Sequence, residues 1–264
     1  MTEAALTDQV RYEVRDRVAH ITLNRPERRN ALSYAVMDRL VELFAECGRD
    51  GDVWAVVLTG TGDRAFCAGA DLKELDEEAR AGRPIRVPMT GPARNAHEAL
   101  LELYKPTIAV LNGHALAGGF ELALAADLRI AADHVQLGLP EAKRGMGANF
   151  GSVVLPRLIP RSLALEMLYT GEPVSAHRGR ELGLLNHVVP SAELESFSAK
   201  FVAGIVANAP LSLRRYKEMA TKGWEMSVPA ALRLNAGPNP YLSRDREEGV
   251  RAFVEKREPR WEAR

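Results

Sequence analysis

From residue 112 to residue 121 the chain reads Asn-Gly-His-Ala-Leu-Ala-Gly-Gly-Phe-Glu, between two apolar segments. The segment before it, Thr107–Leu111, has the length and continuous hydrophobicity of a strand that is buried on both faces. The segment after it, Phe120–Ala126, is apolar almost all round, which is typical of a buried helix. A buried strand, a glycine-rich turn and a buried helix in this order favour an α/β fold.

Short strands and helices continue in both directions from this junction. Ser33 resembles the N-cap of a helix that runs to about Cys47. Residues 76–92 carry charges, glycine and prolines, which predict a mobile loop or a broken helix, and a helical pattern resumes over Asn95–Tyr104. The predicted strands besides Thr107–Leu111 are Val10–Arg15 and Val18–Leu23 (a hairpin), Trp54–Thr59, Ala65–Cys67, Asp127–Ala131, Val135–Leu137 and His187–Val189.

The C-terminal part of the sequence is helical in pattern from about Ser191, with breaks at Pro210, Pro229 and Gly237-Pro238. A chain of 264 residues accommodates one large α/β domain or one such domain with a helical appendage. We therefore predict repeated β-β-α units in residues 1–190 and a helical C-terminal region in residues 191–264.

Composition excludes several classes of partner. Lys and Arg number 35, as do Asp and Glu, so no overall field attracts nucleic acid or an anionic membrane. No apolar stretch approaches the ~20 residues that span a bilayer, and the first eight residues lack the pattern of a signal peptide. Cys47 and Cys67 have no metal-binding spacing. These features predict a cytoplasmic protein with no metal site and no disulfide.

Three glycine-containing segments carry the candidate chemistry: residues 66–73, residues 112–121 and residues 137–147. Glycine allows a ligand to approach the backbone, and free N–H groups at Gly118-Gly119 would favour negative charge such as an enolate oxygen. For any one segment taken alone, an ordinary tight turn is the favoured interpretation.

Two glutamates belong to these segments. Glu121 lies near the start of an apolar helix, and burial of an unpaired carboxylate costs more than the helix dipole returns, which favours a function. Glu141 follows Pro140 at a strand-to-helix junction. From the residues alone, both glutamates are also consistent with acids that only stabilise a helix start.

Two histidines invite functions that the pattern does not support. His97-Glu98 begins like the helix of a zinc protease but lacks the second histidine, which favours an ordinary surface or core helix. His114 has no evident partner in the sequence, which favours a structural role.

Taken together, the motifs resemble the crotonase, or enoyl-CoA hydratase/isomerase, superfamily, over nearly the whole chain. They occur in the family's order and approximate spacing, and that ordered set is specific where each motif alone is weak. The motifs are Ile21–Pro26 with Asn30-Ala31-Leu32, Ala68-Gly69-Ala70-Asp71, Gly118-Gly119-Phe120-Glu121, Pro140-Glu141 and Ala252–Arg257.

The resemblance implies a fold and an activity. The fold is α/β: a spiral of β-β-α units, similar to that of the caseinolytic proteases, followed by a helical region. The implied enzyme is an enoyl-CoA hydratase that adds water to a 2-enoyl-CoA thioester. No cofactor is expected besides the coenzyme A (CoA) of the substrate, and a homotrimer or a dimer of trimers is expected.

The resemblance also implies site residues. Glu121 and Glu141 match the two catalytic glutamates of the hydratases, and the N–H groups of Ala70 and Gly118 match the oxyanion hole. The CoA site is expected from Arg25, Arg28, Arg29, Ala31, Ala68, Asp71, Leu72, Lys73, Phe253 and Lys256, and the acyl pocket from Leu116, Ala148, Asn149 and Phe150.

The sequence departs from the family after the second glutamate. Hydratases usually have Gly-x-x-Pro followed by glycines, but here Ala148 takes the place of proline and Asn149 and Phe150 add bulk. The departure leaves the acyl group open, and it leaves an enoyl-CoA isomerase or an acyl-CoA thioester hydrolase as alternatives. An RNA-binding relative lacks the expected aromatic and basic stripe, and a serine protease lacks the Gly-x-Ser-x-Gly elbow.

Overall fold

The computed structural model describes residues 8–264, and its central element is a six-stranded sheet with the strand order β1-β2-β3-β5-β7-β10. β1 pairs with β2 in antiparallel orientation, and every other neighbouring pair is parallel. The strands of this sheet are β1 (Val10–Arg15), β2 (Val18–Leu23), β3 (Ala55–Gly60), β5 (Thr107–Leu111), β7 (Leu128–Ala132) and β10 (His187–Val189). The predicted absence of a signal peptide concerns mainly residues 1–7, which lie outside the described residues.

The predicted hairpin is confirmed. Asp16 and Arg17 connect β1 to β2 with φ values of 50° and 66°, and two consecutive positive φ angles match the twist of an antiparallel pair. The register pairs Arg15 with Val18 and Val10 with Leu23.

A second, four-stranded sheet has the order β4-β6-β8-β9. Its strands are β4 (Ala65–Cys67), β6 (His114–Leu116), β8 (Gln136–Gly138) and β9 (Val174–Ser175). Since β4 follows β3, β6 follows β5 and β8 follows β7, each repeat contributes one strand to each sheet. This alternation confirms the predicted α/β fold of repeated units, although β6 and β9 were not predicted from the sequence.

Eleven helices of α type lie wholly within the described residues. They are α1 (Tyr34–Arg49), α2 (Leu72–Arg80), α3 (Ala96–Leu101), α4 (Gly118–Ala125), α5 (Gly151–Leu158), α6 (Arg161–Thr170), α7 (Ala176–Glu181), α8 (Leu194–Val206), α9 (Pro210–Lys222), α10 (Val228–Ala231) and α11 (Arg244–Glu255). Ser33 caps α1 by accepting from the Val36 N–H, as predicted. Pro210 begins α9 rather than interrupting a helix, because proline suits the first helical turn.

The sequence patterns misplaced two regions. The prediction of a loop or broken helix from residue 76 is wrong as far as Arg80, because α2 runs to that residue from its N-cap Asp71. Helices α5, α6 and α7 had no predicted counterpart. Pro156 lies inside α5 and Pro160 caps α6, and both prolines resemble helix-breaking signals when only the sequence is available.

The helical C-terminal region is attached to the core by a buried lysine. The Lys217 ammonium on α9 lies 2.9 Å from the Asp127 carboxylate and donates to the Lys105 carbonyl at 3.0 Å. Strand pairing ends at Val189, close to the predicted boundary at residue 190; the division into two domains stays a prediction. Among the described helices, none has the length and hydropathy to cross a membrane.

Candidate active site

The segment after β4 and the turn between β6 and α4 touch through glycine. Gly69 has φ +88°, and a Cβ built on it would stand 2.7 Å from the Ala117 Cβ. Any side chain at this position would therefore push the two segments apart and would also strain the backbone. The two glycine-containing segments predicted as separate motifs are thus in direct contact.

Two backbone N–H groups at this contact have no acceptor among residues 8–264. Leu32 forms an isolated parallel bridge with Ala70, in which its own N–H bonds Gly69 and its carbonyl accepts from Asp71. In such a parallel bridge, the residue between the two bonded ones, here Ala70, does not use its own N–H. The exposed Ala70 accordingly donates to no acceptor within residues 8–264. Gly118 is the first residue of α4, and its N–H is equally unbonded there.

The backbone before Gly118 is strained. Ala117 has φ 52° and ψ −135°, a conformation that costs a non-glycine residue roughly 1–3 kcal/mol. Several hydrogen bonds stabilise it: its N–H donates to the Gly138 carbonyl at 2.8 Å, and its own carbonyl accepts from the N–H groups of Phe120 and Glu121. Such strain is concentrated at functional sites, where it fixes the direction of a group. The group here is the Gly118 N–H.

Glu121 lies in the first turn of α4 and is 7% exposed. Its Oε1 accepts a hydrogen bond of 2.8 Å from the Gly151 N–H. Burial raises its pKa, and the backbone N–H groups of Gly151 and Phe150 oppose that increase. A Cβ built on Gly118 would lie 3.9 Å both from Glu121 Oε2 and from the Ala70 nitrogen. The acid and the two free N–H groups therefore surround one small volume.

Glu141 begins the 3-10 turn after β8 and is 6% exposed. Neither of its carboxyl oxygens has a hydrogen-bond partner within the described residues. Burial raises the pKa of Glu141 to about 7, and the Glu121 carboxylate adds to the increase. The backbone N–H of Glu141 itself and the Arg144 side chain oppose the increase. A buried carboxyl without a partner is costly to ionise.

A histidine that the sequence assigned to an ordinary helix also belongs to this site. His97 on α3 is 5% exposed, and its Nε2 lies 2.9 Å from the Gly118 carbonyl. Its ring packs against Phe150, with a centroid distance of 5.6 Å. Asn95 and Glu98 form a capping box that fixes the start of α3. The sequence analysis favoured an ordinary surface or core helix here; the apolar neighbours Ala96, Ala99 and Leu100 are a signal of burial, but nothing in the sequence marks a partner.

The residues predicted for the CoA site fall into two groups. Arg25 donates to the Ala31 carbonyl at 2.6 Å and pairs with Asp71 at 2.8 Å. Burial opposes ionisation of Asp71, but Arg25 and the N–H groups of Glu74 and Lys73 outweigh it, so its pKa lies below the usual range. Arg25, Ala31 and Asp71 thus have structural contacts, and their CoA roles stay predictions.

The other predicted CoA residues are more dispersed, and their roles also stay predictions. Ala68 bonds the Arg29 carbonyl through its N–H, and Leu72 and Lys73 begin α2. One guanidinium nitrogen of Arg28 is buried without a partner among residues 8–264. Phe253 is exposed near the end of α11, with Lys256 directly after that helix, and neither bonds the residues of the first group.

The predicted acyl-pocket residues differ in exposure. Ala148 and Phe150 are buried, Leu116 is half-buried and Asn149 is exposed. The Asn149 side chain turns toward Gly147, where a Cβ would stand 2.8 Å from its Oδ1. Phe150 contacts the ring of His97, which in turn contacts the Gly118 carbonyl. The pocket roles of all four residues stay predictions.

The remaining candidates from the sequence are His114 and the two cysteines. His114 accepts a hydrogen bond of 3.1 Å from the Gln136 N–H, in agreement with the structural role predicted for it. Cys47 and Cys67 are buried free thiols. Within the described residues, no three His, Cys, Asp or Glu side chains are grouped closely enough to hold a metal ion.

Comparison with known proteins gives a consistent result along the chain. Residues 13–264 match the family model described as enoyl-CoA hydratase/isomerase. The (E)-benzylidenesuccinyl-CoA hydratase of Thauera aromatica is 36% identical over 95% of this chain and 97% of its own length. The short-chain-enoyl-CoA hydratase of Clostridium acetobutylicum is 32% identical over 93% and 94%, respectively. The crystal structure of an enoyl-CoA hydratase from Bacillus anthracis superimposes with a TM-score of 0.86 at 33% identity, covering 97% of this chain and 100% of that one.

Proposed function

This chain belongs to the enoyl-CoA hydratase/isomerase family, an enzyme family of the crotonase superfamily, and on that premise we propose that it reversibly adds water to a 2-enoyl-CoA thioester. The observation that carries the proposal is the buried Glu121 carboxyl beside the N–H groups of Ala70 and Gly118, which have no acceptor within residues 8–264. A second buried carboxyl, Glu141, interacts electrostatically with Glu121. A hydratase requires both an acid and a base, and this site offers both.

In the proposed reaction the two N–H groups bind the thioester oxygen. Addition of water to C3 moves electron density onto that oxygen, and one preorganised donor contributes about 3 kcal/mol to the stabilisation of such a charge. The water oxygen bonds to C3 and loses a proton to one carboxylate, while the other carboxyl gives a proton to C2. Atoms balance, and CoA enters only as part of the substrate, so the reaction requires no further cofactor.

The different surroundings of the two glutamates support a division of roles. Two nearby carboxyls share a proton because ionisation of both is unfavourable, and they titrate as a coupled pair. Glu121 has a hydrogen-bond donor, whereas Glu141 has none within residues 8–264. The shared proton therefore favours Glu141, which suits it to protonate C2 and leaves Glu121 as the base toward water.

A panel of 2-enoyl-CoA thioesters tests this function against its alternatives. Hydration removes the enone absorbance and adds the mass of water. An isomerase would leave the mass unchanged, and a thioester hydrolase would release free CoA thiol. We expect the first result; release of thiol, or a double bond moved at unchanged mass, would overturn the hydratase assignment in favour of the corresponding alternative.

We also propose a trimer-based assembly, because Trp224, Leu232, Tyr241 and Leu242 expose apolar side chains in the C-terminal region. Sedimentation at micromolar concentration should show no appreciable monomer. A single species of 29.0 kDa would contradict the assembly.

A further inference from the structure

Several hydrogen bonds described above hold the turn that carries the Gly118 N–H. Of these, only the one from His97 involves a side chain. The peptide before Ala117 is held by the Gly138 carbonyl, and the Ala117 carbonyl accepts from the N–H groups of Phe120 and Glu121. The next peptide, between Gly118 and Gly119, is held at its carbonyl by His97 Nε2. Three consecutive peptide planes around a strained residue are therefore fixed, and the third depends on an imidazole.

The chemistry of the contact defines the tautomer of His97. A carbonyl oxygen only accepts, so Nε2 carries the proton and donates it to Gly118. Nδ1 is then an acceptor, and it is buried without a partner among residues 8–264. Burial lowers the pKa of His97, while the Gly118 carbonyl and Glu98 oppose the decrease. The ring is thus held neutral, with its single N–H on the Gly118 side.

We propose that His97 is a positioning residue for the oxyanion hole: its Nε2–H fixes the peptide after Gly118 and so directs the Gly118 N–H toward the thioester oxygen. Phe150 packs against the ring from the α5 side, with a centroid distance of 5.6 Å. This role rests on the proposed function but adds a residue from α3, an element that contributes neither glutamate nor N–H donor to it.

Three substitutions separate this contact from general packing. His97→Leu removes the donor. His97→Gln places an amide N–H near the former Nε2, whereas His97→Asn reaches only the Nδ1 position. We expect His97→Leu and His97→Asn to lower kcat roughly 10- to 100-fold with little change in KM, somewhat less than the loss of a whole oxyanion donor. His97→Gln should recover most of the rate.

His187→Leu is the matched control. His187 packs between Phe197 and Phe201, with ring-centroid distances of 5.1 and 5.0 Å, and it makes no hydrogen bond through its side chain in the part of the chain that the structure describes. Its replacement should change stability without lowering kcat.

A spectroscopic measurement distinguishes positioning from structural damage. Butyryl-CoA has no double bond to hydrate, so the infrared carbonyl stretch of its labelled thioester reports the oxyanion hole directly. Wild-type protein and His97→Gln should lower that frequency relative to free butyryl-CoA, and His97→Leu should restore it toward the free value. If His97→Leu retains the wild-type kcat and frequency, or if His97→Asn recovers as well as His97→Gln, the role of His97 is overturned while the proposed function stands. An unshifted carbonyl in the wild-type complex would overturn the oxyanion hole itself, and with it both proposals.

Discussion

The two ends of α4 differ in how far their polar groups find hydrogen-bond partners within the chain. At the N-terminal end, the Gly118 N–H has no acceptor within residues 8–264. The Glu141 carboxyl, which interacts electrostatically with Glu121 in the first turn of α4, has no hydrogen-bond partner there either. At the C-terminal end, Arg129 is 6% exposed and donates to the carbonyls of Ala123, Ala126 and Leu184. The helix has eight residues, so roughly 12 Å separate the two arrangements.

The difference supports the proposed location of the active site at the N-terminal end of α4. Helix ends leave carbonyls and N–H groups unpaired, and a folded chain normally satisfies them when they are buried. Arg129 does so at the C-terminal end, where it also complements the helix dipole. The N-terminal end retains free donors and a costly carboxyl, which is consistent with groups that await a substrate.

The largest stability effect is expected from the satisfied end. Burial lowers the pKa of Arg129 to about 10, partly offset by Asp127, but the guanidinium also supplies three buried carbonyls with donors. Arg129→Met removes the donor of the Ala126 and Leu184 carbonyls, whereas the Ala123 carbonyl keeps the Ala126 N–H. We therefore expect a loss of about 2–4 kcal/mol in the free energy of unfolding. Urea unfolding measures it.

The control for Arg129 is Arg178→Met, which removes an exposed arginine paired with Glu181. That change should cost less than about 0.5 kcal/mol. Equal losses in the two variants would show that the C-terminal end of α4 is not selectively stabilised.

A second prediction concerns pH and the unsatisfied end. Burial raises the pKa of Glu141 from 4.5 to about 7. Because folding raises this pKa, ionisation of Glu141 lowers the free energy of unfolding. The stability is therefore fully present below pH 4.5 and is lost as the pH rises through 7. Glu141→Gln does not titrate, so its stability relative to wild type should increase between pH 5 and pH 8. The pKa shift of Glu141 corresponds to at most about 3 kcal/mol in the free energy of unfolding. Solvent screening reduces the expected gain in stability of Glu141→Gln over wild type to about 1–2 kcal/mol.

Glu121→Gln tests whether Glu141 is the less satisfied of the two carboxyls. The Gly151 N–H offsets part of the burial cost of Glu121, so its gain between pH 5 and pH 8 should be smaller. A larger gain for Glu121→Gln than for Glu141→Gln would reverse the assignment of the less satisfied carboxyl. Chemical unfolding at both pH values measures both variants.

The smallest predicted effect concerns the acyl group. Ala148→Pro combined with Asn149→Gly restores the usual family pattern, and no acceptor for the Ala148 N–H exists within residues 8–264, which suits proline. We expect the ratio of kcat/KM for crotonyl-CoA over a branched or functionalised enoyl-CoA to rise roughly threefold to tenfold. An unchanged ratio would leave this segment as a different backbone route without a role for Asn149.

The sequence predicted the parts of the molecule that depend on local patterns. The buried strands and the N-cap Ser33 follow from hydrophobic runs and capping chemistry, and the structure contains them within a residue or two. The glycine-containing segments pointed to close backbone contacts, which Gly69 and Ala117 make. Resemblance to a family then selected both glutamates as catalytic candidates, which the local pattern alone left open.

The features that the sequence did not predict depend on contacts between distant segments. His97 lies 21 residues from Gly118, and nothing in its own helix indicates that bond. The pairing of Arg25 with Asp71 spans 46 residues and replaces an expected free cation. The strain at Ala117 is equally invisible, because alanine rarely adopts a positive φ and no local signal marks it.

The two-glutamate mechanism is tested most directly by the rate of 2-enoyl-CoA hydration in Glu121→Gln and Glu141→Gln. The rate is measured as loss of enone absorbance, and circular dichroism confirms that each variant is folded. Each carboxamide preserves shape but can neither take up nor release the required proton. We predict that each substitution lowers kcat by at least ~100-fold, the lower end for a lost general acid or base. Turnover near the wild-type value in either folded variant would contradict the two-glutamate mechanism.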